Sequence, residues 1–355
     1  MNVPTSVAPF TPGDAIPDIA MPGRDGRPVQ LFFQEIAGRT LALWRTGADV
    51  TAEAVAEAER LLASFAEADA CLIHLVVGAM PKDVPAPQGA LTQIFDPKNQ
   101  ITHLFGLEKA GIVLIDRNRR FVGAFAGQDG QHALAFCRQS LAREKGGVIS
   151  QQAPVLLIPS IFDEADLAAL LAYWEGNEKS LVNNVARSDA GNTYDGPQIK
   201  RRSDTPIQDR NLFAMVRTRV ERRVFPEMLK AFQCGIARME MPRIGCYDSA
   251  VLGEFKRHRD NTTPYTAHRK FALSINLNGG YEGGAVGFPE YGRAVYSPSA
   301  GGGVVFSCSL LHEAQPVTNG RRFGLFTFLT DAEGAKREDA MLAQQGNAVS
   351  RFKVS

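Results

Sequence analysis

Two histidines and an aspartate form the clearest chemical pattern in the chain: His258-Arg259-Asp260, and then His312 on a later apolar segment. In an extended strand residues i and i+2 face the same side, so the His258 imidazole and the Asp260 carboxylate can reach one ion. A histidine from another strand completes two imidazoles and one carboxylate, the donor set that suits non-haem Fe(II) and leaves positions open for other ligands. Beyond His312, the segment HEAQPVTNGRRFGLFTFL carries Arg322 in an otherwise apolar strand. A guanidinium aimed into an apolar interior is costly unless an anion meets it. A bidentate anion, such as the distal carboxylate of 2-oxoglutarate, would match its two-pronged fork. Its neighbour Arg321 is expected to point the other way, toward solvent.

Other chemically capable residues read more blandly. Arg269 is read as a substrate contact, and His268 as a substrate-side or surface residue. His74 lies inside the apolar run CLIHLVV and is expected to be a core histidine with its hydrogen bonds satisfied. The glycine-rich GGYEGG (279–284) and AGGG (300–303) do not join a strand to a helix as a phosphate loop would, so they are read as tight β turns. Arg217 to Arg223, interspersed with Val220 and Glu221, reads as a solvated helix face.

The elements that must position these residues fall into two patterns. Up to about residue 145, short apolar strands (TLALWRT, CLIHLVVG) alternate with amphipathic helices, which predicts an α/β layer fold with a mostly parallel sheet. Ala52 to Ala66 has helical spacing, with Thr51 as its N-cap and Glu53 and Glu57 in the first turns. GIVLIDRNRRFVGAF reads as a hairpin, and His132 to Glu144 as a closing helix. GGVISQQAP (146–154) is read as a linker. A strand and a helix starting near Asp163 follow, then a polar stretch whose part 186–206 is read as a specificity loop that orders over substrate. Asn211 to Phe232 is helical. From Gly235 onward, short strands separated by Gly, Pro and Asn predict a mainly β jelly roll or barrel. Residues 332–355 are read as a polar C-terminal helix or tail of little chemical content.

Composition sets the outer bounds. The chain has 355 residues, 45% hydrophobic and 22% charged, with 39 basic against 38 acidic residues and a formal charge of +1. At about 100–200 residues per domain this allows two or three domains. No net field recruits nucleic acid or anionic lipid, so neither is expected as a partner. Met1 to Phe10 lacks the features of a secretory leader, and no apolar run approaches the ~18–20 residues that span a bilayer, so a soluble, cytoplasmic protein is expected. Five scattered cysteines (Cys71, Cys137, Cys234, Cys246, Cys308) suit free thiols in a reducing compartment. Cys71 and Cys308 sit in apolar runs and read as small hydrophobes.

Two family resemblances overlay this reading. PFTPGDAIPDIAMPGRDGRPVQLFFQEIAGRTLALWRTG and ITHLFGLEKAGIVLIDRNRRFVGAF resemble the peroxiredoxin and thioredoxin-like families over residues 8–145. Those families place a nucleophilic cysteine just after the strand that ends here at Thr46. RTGADVTAEAV has none, which implies a redox-inactive domain used for docking or homodimerisation and argues against a thiol peroxidase. GEFKRHRD, HRKFALSINLN, YEGGAVGFPEYGRAVYSPSAGGGVVF and LHEAQPVTNGRRFGLFTFL are similar to the prolyl 4-hydroxylase-like branch of the Fe(II)/2-oxoglutarate dioxygenases, over a domain at 155–331. That resemblance implies a double-stranded β-helix (jelly roll) with His258, Asp260 and His312 as iron ligands and Arg322 as the oxoglutarate anchor. It further implies oxoglutarate contacts from Asn276, where many relatives have tyrosine, and from Tyr247. Fe(II), 2-oxoglutarate and O2, with ascorbate as an accessory, are the implied cofactors. Halogenating relatives replace the carboxylate that Asp260 keeps, so hydroxylation of a protein residue or small metabolite is implied. The contrasting expectation is a thioredoxin-like adaptor with a degenerate barrel.

Overall fold

Alternation of side chains along each strand explains both halves of the chain. The computed structural model describes residues 9–344 apart from 18, 33–35, 47–49, 128–129, 144–147, 150, 183, 188–192 and 196–199. It divides into two compact units, Met1–Val148 and Ile149–Ser355. The expected linker and tail lie partly outside the described residues, as does part of the Thr46–Glu53 segment that lacks cysteine.

In the first unit a five-stranded sheet runs in the order Thr92–Asp96, Ala70–Val77, Thr40–Arg45, Gly111–Ile115, Phe121–Ala126. The first three strands are mutually parallel and the last two are added antiparallel. Leu41 and Leu43 face one apolar layer while Ala42 and Trp44 face the other, so both sides of the sheet are covered. The helix Ala52–Glu67 starts where Thr51 accepts a hydrogen bond from the Ala54 amide (3.2 Å). His74 is fully buried. Gln93 Nε2, which can only donate, meets its Nδ1 at 3.1 Å, so the ring proton sits on Nε2, facing Thr46 Oγ1 at 3.1 Å. Burial pushes its pKa down to about 4.

The second unit is built on two antiparallel sheets, consistent with a jelly roll. The larger has eight strands, in the order Val155–Ile158, Gly303–Ser307, Phe271–Asn276, Arg321–Thr330, Arg243–Asp248, Arg202–Pro206, Ser180–Val182, with Arg238–Met239 added on Arg321–Thr330. The smaller runs Phe255–His258, His312–Ala314, Val286–Gly287, Val295–Tyr296. On the large sheet Ile244, Cys246, Leu273, Ile275, Phe323 and Leu325 form one core with residues of the helices Glu164–Gly176, Arg210–Arg223 and Phe225–Phe232. The alternate residues, among them Tyr247, Ser274, Arg322 and Phe326, line a cavity with the smaller sheet. No helix among the described residues is long and apolar enough to cross a membrane.

Three sequence expectations change here. The segment 186–206 is not simply a loop: Arg202–Pro206 is an inner strand of the large sheet, paired on both sides. Its charged residues mask a strand because they face a polar cavity rather than a core. The arginine helix is not a solvated face. Arg223 is fully buried and donates to Ile161 O (2.7 Å), and Arg219 pairs with Asp166 (2.8 Å) in the capping box of Glu164–Gly176. The C-terminal segment forms the helix Ala332–Gln344, which carries the fully buried Glu338 against Arg238 (2.7 Å).

Candidate metal centre

His258 ends its strand directly opposite His312, so the two imidazoles lie side by side with centroids 4.2 Å apart. Asp260 lies in the turn beyond the strand, not on it. Its amide donates to Cys308 O (3.0 Å), and this backbone bond, rather than strand alternation, brings the carboxylate round. Asp260 Oδ1 is 3.4 Å from His258 Nε2, and Oδ2 is 3.4 Å from His312 Nε2. One donor atom from each residue fits within a 4.8 Å span.

The protonation pattern favours a cation. His258 Nδ1 meets Lys256 O at 2.7 Å and His312 Nδ1 meets Leu310 O at 3.0 Å. A carbonyl only accepts, so each Nδ1 carries the proton and each Nε2 presents a lone pair to the shared centre. Burial pushes the His312 pKa down to about 4, which keeps its ring neutral. For Asp260 burial acts upward, but its close neighbours His258, His312 and Arg269 outweigh it and hold the carboxyl below its ordinary range. Phe255 stacks on His258 (3.4 Å between centroids), and Phe306 packs 4.6 Å from His312, so apolar rings flank both donors. Two imidazoles and a carboxylate converging in this way fit Fe(II).

Arg322 is 2% exposed on the large sheet, while Arg321 is exposed, as alternation requires. Its Nε and Nη2 donate to Asn276 Oδ1 (3.1 and 2.9 Å), and Nη2 also donates to Ser274 Oγ (3.3 Å). Nη1 is buried and has no hydrogen-bond partner. A buried cationic donor left open beside a cavity of about 680 Å³ fits a carboxylate ligand such as the distal end of 2-oxoglutarate. Gly284 makes room for it, since a Cβ there would stand 2.9 Å from Arg322 Cδ.

The other expected residues take varied places. Tyr247 pairs across strands with Arg322, lines the cavity, and its hydroxyl accepts from Arg202 Nη1 (3.2 Å). Asn276 sits behind the cavity. Its Oδ1 holds Arg322 and its amide nitrogen donates to Pro298 O (2.6 Å), so it orients the guanidinium. Arg269 lines the cavity but grips Glu240 with two bonds (2.7 and 2.9 Å) and reaches Asp260 O at 3.5 Å. It therefore braces the turn that carries Asp260. His268 is not a surface residue: it is 3% exposed, with Nε2 3.1 Å from both Glu240 Oε1 and Glu338 Oε1. The polar residues flanking it in sequence concealed this burial. Sequence reasoning also missed Lys200, Arg202, Asp204 and Arg243. The only signal for the first three was the alternation Lys200-x-Arg202-x-Asp204 in a stretch read as a loop.

Neither a known protein-family pattern nor a curated protein matches the chain. Solved structures do resemble part of it. A prolyl hydroxylase from Trichoplax adhaerens, in complex with a hypoxia inducible factor peptide fragment, is 13% identical and covers 53% of this chain and 87% of its own, at a TM-score of 0.41. A Pseudomonas putida prolyl-4-hydroxylase is 17% identical over 51% and 94%, at 0.38. An oxidoreductase of the 2OG-Fe(II) oxygenase family from Burkholderia pseudomallei is 18% identical over 50% and 85%, at 0.37. Scores of this size leave the chemistry to this chain's own residues.

Proposed function

We propose that the carboxy-terminal unit is an Fe(II)- and 2-oxoglutarate-dependent dioxygenase that hydroxylates a C–H bond of a protein residue or small metabolite. The carrying observation is one cavity that joins a converging His258, Asp260 and His312 set to a buried guanidinium with an open Nη1. Bound iron with O2 supplies the oxidation, in which one oxygen atom enters the substrate and the other enters succinate as CO2 leaves 2-oxoglutarate. The chain's own residues do the rest. His258 and His312 hold the ion through Nε2, Asp260 adds its negative charge, and three protein donors leave positions for the co-substrate and O2. Arg322, fixed by Asn276 and Ser274, orients the co-substrate. Phe255 and Phe306 keep bulk water from the donors. Retention of the Asp260 carboxylate favours hydroxylation over halide transfer, and ascorbate would serve as accessory reductant.

For the amino-terminal unit we propose a thioredoxin-like domain without a redox cysteine, serving as a homodimerisation or docking module. The sheet order, three parallel strands extended by an antiparallel hairpin, supports that reading. Five scattered cysteines with no C-x-x-C pair suit a reducing, cytoplasmic setting. The dioxygenase proposal is tested by adding Fe(II) and 2-oxoglutarate anaerobically to metal-free protein. The expected result is a weak visible charge-transfer band, abolished by Asp260→Ala. Its absence from folded wild-type protein would overturn the proposal.

A further inference from the structure

One wall of the same cavity carries positive charge that the protein does not itself balance. Lys200 (5% exposed), Arg202 (7% exposed) and the half-buried Arg243 gather around a single carboxylate, Asp204. Arg202 takes both of its oxygens (Nε to Oδ1 2.5 Å, Nη2 to Oδ2 2.8 Å), and Lys200 Nζ is left 3.4 Å from Oδ2. The Arg243 guanidinium forms no ion pair or hydrogen bond among the described residues; the carboxylates Asp204 and Glu240 and the cations Arg202 and Arg269 act on it only from a distance. Lys200 and Arg202 therefore share one carboxylate, and Arg243 has none in ion-pair range among the described residues. The remaining cationic residues of the cavity are already matched: Arg269 by Glu240, Arg259 by Glu290 (2.5 Å), and Arg322 by the proposed co-substrate.

Gathering uncompensated cations in a low-dielectric wall is destabilising, and an arriving anion removes the cost. Burial, with Arg202 nearby, pulls the Lys200 pKa down to about 7, and burial lowers that of Arg243 as well, with Asp204 offsetting each only in part. The wall also stands close to the reactive centre. Lys200 Nζ lies 5.2 Å from the centroid of Phe255, whose ring stacks on His258, so one aromatic ring separates the ammonium from a metal-binding imidazole.

We infer that Lys200 and Arg243 form an oxyanion subsite for the primary substrate, which therefore carries a carboxylate or phosphate group; this rests on the dioxygenase reading above. Arg202, locked to Asp204, positions the pair rather than binding the ligand. The test is calorimetric titration of the full chain loaded with Mn(II), which takes the same donors, with inorganic phosphate and with acetate, each in the presence and absence of 2-oxoglutarate. Saturable binding of at least one anion to the 2-oxoglutarate-loaded protein is expected, weakened at least tenfold by Lys200→Met and by Arg243→Gln, with 2-oxoglutarate affinity unchanged in both. The tighter of the two anions identifies whether the substrate group is a phosphate or a carboxylate. No saturable binding, or equal binding in both variants, would overturn the inference. So would a tenfold loss of 2-oxoglutarate affinity in Lys200→Met, because the wall would then belong to the co-substrate. If 2-oxoglutarate fails to bind but the anion binds through Lys200 and Arg243, the dioxygenase reading falls and the anion subsite stands.

Discussion

Replacing Arg322 with methionine separates a co-substrate anchor from a structural arginine. The side chain keeps its length and apolar stem but loses Nη1, the open donor, along with the Nε and Nη2 bonds to Asn276. If a carboxylate docks on the two open N–H groups of Nη1, two charge-assisted hydrogen bonds of about 1.5–3 kcal/mol each disappear, so 2-oxoglutarate affinity should drop at least about a hundredfold. The free protein should not suffer in proportion, because a buried cation held only by neutral groups is itself costly. Ligand linkage makes this measurable. At 2-oxoglutarate about 100 times the wild-type dissociation constant, wild type should gain about 2.7 kcal/mol of stability, against about 0.4 kcal/mol for a variant binding a hundredfold more weakly. Denaturant titrations with Mn(II), with and without 2-oxoglutarate, read both numbers. Arg322→Lys retains charge without the fork and should fall between them. An Arg322→Met chain that binds 2-oxoglutarate within about threefold of wild type would refute the anchor.

Two further outcomes concern packing and protonation. Gly245 lies beneath the Arg202–Asp204 pair, and a Cβ there would sit 2.8 Å from Arg202 Cδ and Nε and from Asp204 Oδ1; Gly245→Val should therefore break a buried ion pair and cost about 3–5 kcal/mol, and a loss under about 1 kcal/mol by urea titration would contradict it. His74 has a folded pKa near 4 against an ordinary 6.5, so the unfolded chain takes up a proton first as pH falls. Stability should fall through that window, by about 2 kcal/mol from pH 7 to pH 5, and level off below pH 4. Protection of the Thr40–Arg45 strand during urea titration reports it, and an equal loss in His74→Gln would remove His74 as the cause.

The local periodicities in the sequence determined much of this protein: the helix capped by Thr51, the hairpin at Gly111–Ile115 and Phe121–Ala126, and the opposite facing of Arg321 and Arg322. Each depends on neighbours within a few residues, which is why it is legible without a fold. The candidate metal residues were legible for a related reason, since only six histidines occur and one of them stands two residues from an aspartate in an H-x-D pattern. Tertiary structure alone decided the rest. Asp260 reaches the centre through a backbone bond to Cys308 from a turn, not through strand alternation. Asn276 and Arg269 turn their polar atoms to Arg322 and to Glu240, and His268 is buried by Glu338 on a helix that reads as a polar tail. Lys200, Arg202 and Asp204 look like solvent-facing charges in sequence. Only the pairing of Arg202–Pro206 between two other strands, and the bridge of Lys200 to Phe255, turn them inward, because burial is a property of which strands meet and no local pattern encodes it.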